Sequence, residues 1–186
     1  MKTGLTLKIE KALTTYRPAY MGGCKISLGR ARHMAFEVPV VCGTSHCGLI
    51  DAVEVAEYMK YIGSTQQDEI LTICYEVKIS KADFRNKNGH NFVGNLNYYV
   101  MPMELYKDVK DLIPQRIGVI AYLTNTKSPY APRLRKQKEC EFRDIGDEAQ
   151  KWLILSVLKR MRKTGTLLKI WRIDNEPKSR LLGNGF

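Results

Sequence analysis

The stretch that decides the fold is Ile70-Leu71-Thr72-Ile73-Cys74-Tyr75-Glu76-Val77-Lys78-Ile79. β-Branched and aromatic residues dominate it, the composition of a buried strand. Side chains alternate faces along a strand, so Leu71, Ile73, Tyr75, Val77 and Ile79 share one face while Glu76 and Lys78 share the other. An acid and an amine at the end of a core strand are costly to bury unless they are paired or bound to something. Upstream, Gly48-Leu49-Ile50-Asp51-Ala52-Val53 sets a second carboxylate in another apolar run. One Asp, then Glu-x-Lys on the next strand, is a pattern that can hold Mg²⁺ beside a phosphate. The competing reading is a Glu76–Lys78 salt bridge on an exposed sheet face, with Asp51 capping a turn.

Downstream, Ser80-Lys81-Ala82-Asp83-Phe84 opens a short helix with Ser80 as N-cap and Asp83 in the capping-box position. A polar, Gly-containing loop over 86–94 carries His90 and Asn91, either surface residues or neighbours of a phosphate. Asn97 to Met101 reads as a strand stopped by Pro102, Met103 to Ile113 as an amphipathic helix, and Ile117 to Tyr122 as a strand. Alternation of strands and helices here implies parallel or mixed pairing with helices over the sheet. Of the adjacent Tyr98 and Tyr99, pointing to opposite faces, one belongs to the core and the other can face a cleft. The run Arg133-Leu134-Arg135-Lys136-Gln137-Lys138 reads as a basic loop or edge strand. Asp147 to Arg162 reads as an amphipathic helix with Trp152, Leu155, Leu158 and Met161 or Val157 inward, ending in Lys159-Arg160-Met161-Arg162-Lys163. Within the tail, 168–173 can form a strand; little order is expected beyond Asp174.

Upstream, apolar positions from Leu5 to Tyr16 recur at helical spacing, with Thr3 or Thr6 as N-cap and Pro18 as the stop. Glu10 on this helix faces solvent or stands as a third acid near the metal. Tyr20 to Arg32 is Gly-containing and basic, a loop that is either phosphate-facing or plain surface. Ala35 to Val41 reads as an edge strand, because Pro39 cannot donate to a ladder. After a tight loop over 42–48, Leu49 to Ala56 forms the second strand of a hairpin; 57–67 has no clear reading.

The chain of 186 residues carries a net charge of +11, unevenly spread. Residues 1–50 hold seven basic and two acidic side chains (+5), 51–126 eight and ten (−2), and 127–186 fifteen and seven (+8). A mildly acidic centre between basic flanks suits a polyanion held over a carboxylate-metal site. The organisation expected is a single domain over 1–163, with the motifs in 35–123, and a basic tail over 164–186. An odd number of cysteines, no signal-peptide pattern and no long apolar run imply reduced thiols, a cytoplasmic setting and no membrane span. Cys42, His46 and Cys47 lack a second ligand pair at zinc spacing, so a structural zinc is not expected.

Asp51 followed by Glu76-Val77-Lys78 resembles the acid–acid–lysine signature of the PD-(D/E)xK nuclease superfamily. The longer string Glu76 to Phe84, with Asn97 to Pro102 and Ile117 to Val119, resembles the MmcB-like DNA-repair family and its phage or prophage relatives. The likeness spans residues 35–123; the superfamily's proline before the first acid is absent, Ile50 standing there. The resemblance implies an α/β fold, a restriction-endonuclease-like mixed sheet flanked by helices, here with a basic C-terminal helical extension. It implies a Mg²⁺- or Mn²⁺-dependent nuclease acting on DNA in a bacterial or phage-infected cell. Asp51 and Glu76 would bind the metal with the Val77 carbonyl, and Lys78 would serve the attacking water. Glu10, Asp83 and His90 are the second-shell or phosphate candidates, with Asp83 either capping its helix or orienting Lys78. Arg133, Arg135, Lys136, Lys138, Lys159, Arg160, Arg162 and Lys163 are the candidates for holding nucleic acid. The alternative is a nuclease-like fold that binds DNA, RNA or a protein without cutting, as a phage inhibitor of a host nucleic-acid machine would.

Overall fold

The computed structural model describes residues 2–18, 20–26, 32–41, 47–62, 65–86, 89–124 and 133–165. The run from Ile70 to Val77 lies in the long strand β5 (Thr65–Val77), with β1 (Tyr20–Met21), β2 (Cys24–Ile26), β3 (His33–Val41) and β4 (Cys47–Ile62) before it. β6 (Leu96–Pro102), β7 (Gly118–Tyr122) and β8 (Leu134–Lys138) follow, forming one mixed sheet in the order β1-β2-β4-β5-β6-β7-β8, with β3 against β4. β4 and β5 are antiparallel, β5, β6 and β7 run parallel, and β8 returns antiparallel to β7. The chain is therefore α/β, with helices α1 (Gly4–Thr15), α2 (Lys81–Arg85), α3 (Met103–Val109) and α4 (Asp147–Lys163) flanking the sheet. No described helix is long and apolar enough to cross a membrane.

The period-two reading of β5 holds. Leu71, Ile73, Tyr75 and Val77 join Ile9 and Leu13 of α1 in one core, and Cys74 on the opposite face joins Leu153, Val157 and Met161 of α4 in another. A third core gathers Phe84, Tyr99, Met101 and the α3 residues Leu105 and Val109. Both tyrosines are buried: Tyr98 faces α1 and Tyr99 the α2–α3 side.

Several expectations are corrected. The helix over 147–163 turns Val157 and Met161 inward, as read, together with Leu153, whereas Trp152, Leu155 and Leu158 stay exposed, Trp152 by 57%. Two apolar stripes fit the same helical period, and the sheet chooses between them. The unclear stretch 57–67 continues the β4–β5 hairpin, with Tyr58 against Glu69 and Ile62 against Thr65. The basic loop near residue 20 contains β1 and β2, and Arg32 is buried against Glu54, whose Oε2 accepts the Tyr75 hydroxyl at 2.8 Å. Residues 27–31, the loop 42–46 with Cys42 and His46, and the tail 166–186 lie outside the described residues.

One backbone feature shapes the sheet near Asp51. Glu37 has φ of 54°, a conformation unfavourable for a side-chain-bearing residue by about 1–2 kcal/mol. On either side the β3–β4 register is unbroken, Phe36 opposite Ala52 and Val38 opposite Ile50. Yet Phe36 and Ala52 pack on the α1 side, while Val38 and Ile50 pack on the α4 side. The hairpin therefore twists at Glu37 and Asp51. Arg160 holds the twist from α4: its Nε donates to the Phe36 carbonyl at 2.8 Å and its Nη2 to Glu37 Oε2 at 2.5 Å. Arg160→Ala should lower stability by about 1.5–3 kcal/mol in urea unfolding. The exposed neighbour exchange Lys159→Ala should stay within about 0.5 kcal/mol of wild type.

Candidate functional site

The β4–β5 ladder ends at Ala52 opposite Tyr75. One residue on, Asp51 Oδ2 takes the ladder's place and accepts the Val77 N–H at 2.7 Å. β4 thus leaves β5 where β5 presents Glu76 and then Lys78. On the other side the parallel ladder continues, with Lys78 N–H donating to the Val100 carbonyl at 3.0 Å. Asp51, Glu76 and Lys78 stand together at this fork.

The surroundings are closed. Glu76 is 0% and Lys78 3% exposed. Glu76 Oε1 accepts the Asn91 N–H at 3.1 Å, while Glu76 Oε2 is buried without a hydrogen-bond partner. Asn91 Nδ2 also donates to the Leu49 carbonyl at 2.9 Å, so the loop after α2 is wedged between the departing hairpin and β5. Gly89, with φ of 77°, covers the pair: a Cβ there would lie 2.7 Å from Lys78 Nζ and 3.3 Å from Glu76 Oε2. A side chain there would be strained by that φ and would push the Lys78 ammonium aside.

Electrostatics follow from this enclosure. Burial, then the neighbouring Asp51 charge, pushes the Glu76 carboxyl up from 4.5 to about 8. Burial also raises Asp51, against the Val77 hydrogen bond and the Lys78 charge. The closeness of the two carboxyls favours the charge on Asp51 and the proton on Glu76.

The remaining candidates separate. Asp83 sits between the backbone that enters α2 and Lys78. Its Oδ2 accepts the Ile79 N–H at 2.9 Å, and its Oδ1 lies 4.0 Å from Lys78 Nζ, with Ser80 as the N-cap of α2. Glu10 is not solvent-facing: it is 9% exposed and pairs with Lys2 at 2.6 Å. Lys2 also reaches Glu37 at 3.0 Å, and its charge is felt at Asp51, so α1 is tied to the rim of the fork. His90 is inward-facing: Nε2 meets the Asn86 carbonyl at 2.7 Å and Nδ1 the Tyr99 hydroxyl at 2.5 Å. A carbonyl only accepts, so in the neutral ring Nε2 carries the hydrogen and Tyr99 donates to Nδ1.

The basic candidates do not form one surface. Arg160 is spent on the hairpin twist, and Lys159 lies 6.0 Å over the Trp152 ring. Lys136 bonds the Tyr20 carbonyl at 2.8 Å and Glu139 at 2.5 Å, and Lys138 bonds the Pro114 carbonyl at 2.7 Å. Arg135, Arg162 and Lys163 are exposed, and Arg133 lines a groove beside α1. Sequence reasoning missed Gly89, Tyr99 as the partner of His90, and the Lys2–Glu37 contact. The Asn88-Gly89 pair marked a turn, but the other two contacts carry no local signal.

No family model matches this chain, and no curated protein matches it. Among solved structures, the chain is similar to a protein of unknown function from Silicibacter pomeroyi at 13% identity and a TM-score of 0.48, over 79% of this chain and 84% of that one.

The raised Glu76 value fixes the sign of a pH effect. An unfolded Glu76 releases its proton near 4.5, the folded one near 8. Between these values the folded state holds the extra proton, so stability is lost as pH rises through that window. The melting temperature in chelator should therefore fall from about pH 5 to about pH 8, and Glu76→Gln should flatten the slope. A melting temperature that climbs over the same range would show the pair to be fully ionised.

Proposed function

We propose that this chain is a metal-dependent phosphodiesterase that cuts DNA, of the PD-(D/E)xK kind its sequence resembles, with a restriction-endonuclease-like sheet. One observation carries the reading: Glu76 Oε2, buried and without a hydrogen-bond partner, lies with Lys78 Nζ under Gly89, next to Asp51. A buried carboxylate oxygen without a donor is a position at which a bound cation would supply the missing partner.

The donors suit a hard cation. Two carboxylates and a backbone oxygen match Mg²⁺ or Mn²⁺, whose other positions go to water and phosphate oxygens. Regular strand geometry sends the Val77 carbonyl to the same side as its N–H, towards Asp51. Among the described residues no three His, Cys, Asp or Glu side chains gather as a metal group, and a two-carboxylate Mg²⁺ site does not need three. Bound there, the ion would relieve charge on the phosphoryl oxygens and acidify a water. Asp51 holds its carboxylate in place through the Val77 N–H. Glu76 gives up its proton when a cation replaces it. Lys78 brings a positive charge against the attacked phosphate and orients the water, with Asp83 behind it.

The burial of Glu76 and Lys78 favours a second reading: the same fold gripping a nucleic acid or a protein without cutting. Plasmid cleavage with Mg²⁺ or Mn²⁺ separates the two. Asp51→Asn, Glu76→Gln and Lys78→Met should each lower the cutting rate by about 10²-fold or more while melting like folded protein. Variants that cut as fast as wild type would remove these residues from the chemistry, and a wild type that binds without cutting would leave the second reading.

A further inference from the structure

We propose that the groove between α1 and the β7–β8 end of the sheet is the track that holds the phosphate backbone of a nucleic acid, through Lys8, Lys11 and Arg133. The inference rests on the nucleic-acid reading above and deepens it. It moves the grip from α4, where the charge pattern points, to the opposite side of the sheet.

The groove has a volume of about 480 Å³, and its wall includes Lys8, Lys11, Thr15, Tyr122, Thr124 and Arg133, with no acidic side chain among the described residues. The Glu104 carboxylate stands behind Thr124, whose hydroxyl donates to it at 3.2 Å. Lys8 and Lys11 are three residues apart, neighbours on one helix surface, and like charges so placed repel. Among the described residues, neither they nor the Arg133 side chain has an ion-pair partner. Three of the other basic candidates are spent differently: Arg160 on Glu37 and Phe36, Lys136 on Tyr20 and Glu139, Lys138 on Pro114. Three convergent cations without counter-ions raise the local potential and concentrate anions.

Register gives the position relative to Lys78. Val77 is level with Val100, and Val100 with Ile120, so Tyr122 in the groove is level with Ile79. The groove thus opens at the carboxyl ends of the parallel strands, the end at which Lys78 stands. At about 4.8 Å per strand, β7 is about 10 Å from β5. That distance corresponds to about three base-pair steps along the axis of a duplex, at about 3.4 Å each. Glu76 and Lys78 face the α4 side and the groove faces α1, so a backbone held by both passes over the carboxyl edge of the sheet.

The test is binding of a fluorescein-labelled DNA duplex in chelator, by anisotropy, across a series of salt concentrations. Lys8→Glu with Lys11→Glu should lower affinity at least about tenfold and reduce the slope of log K against log salt by about two; Arg133→Gln should reduce it by about one. Arg162→Glu with Lys163→Glu, on exposed positions of α4, should change the slope less than either. The altered side chains lie on the wall of an open groove, and circular dichroism checks that each variant is folded. Wild-type slope and affinity in the Lys8/Lys11 and Arg133 variants would overturn the proposal, as would a larger loss in the α4 variant. If wild type binds through the groove but cuts nothing, the phosphodiesterase reading fails and the groove stands. If wild type cuts and the groove variants bind and cut equally well, the groove fails and the site stands.

Discussion

Two carboxyl groups facing each other away from water cannot both keep full charge without compensation, and the middle of this sheet is arranged around that constraint. Asp51 is stabilised by the Val77 N–H, Glu76 by the Asn91 N–H, and Lys78 adds one positive charge to two acids. A proton on Glu76 supplies the rest, which is why its carboxyl is pushed to about 8. The arrangement also dictates topology. Asp51 can reach the Val77 N–H only because β4 stops pairing with β5 after Ala52, so the fork in the sheet and the acid pair are one feature.

A fork needs something to hold it open. Glu37 adopts an unfavourable backbone conformation beside it, and the cost of about 1–2 kcal/mol has to be met by contacts. Arg160 from α4 and Lys2 from the start of α1 both bind the Glu37 carboxylate, one from each layer of helices. Lys2 passes the connection on to Glu10. On the far side Asn91 bridges Leu49 and Glu76. The carboxylates at the rim are tied to ammonium or guanidinium groups, whereas Glu76 Oε2 at the centre is buried without a hydrogen-bond partner.

What could be read from the sequence was what neighbours along the chain determine. Strand alternation in Leu71 to Val77, the Ser80 cap of α2 and the strand–helix order after Lys78 each express local geometry, and each is found. The wrong face of α4 has an instructive cause. Trp152, Leu155 and Leu158 offer a second apolar stripe, but burial goes to Leu153, Val157 and Met161, which pack on Ala35 and Val38 of β3 and Ile50 and Val53 of β4. The residues 57–67 were opaque because Glu57 and Met59, two apart on one strand, differ in polarity; their pairing is imposed by the hairpin they extend. Contacts such as Arg160 with Phe36, or Lys2 with Glu37, join residues far apart and leave no trace in any window of sequence.

The distribution of charge shows the same limit at larger scale. Residues 127–186 carry +8, and that excess suggests a basic face. Folding divides it. Arg160 turns to a twisted hairpin, Lys136 and Lys138 to carbonyls and an acid, and Lys159 to an aromatic ring. Arg133 instead meets Lys8 and Lys11, which come from the other end of the chain. Net charge along a segment counts charged groups without regard to which ones the fold has already neutralised. A surface able to attract a polyanion is made by the cations left over, and three of them here, Lys8, Lys11 and Arg133, come from two basic flanks that the sheet brings side by side.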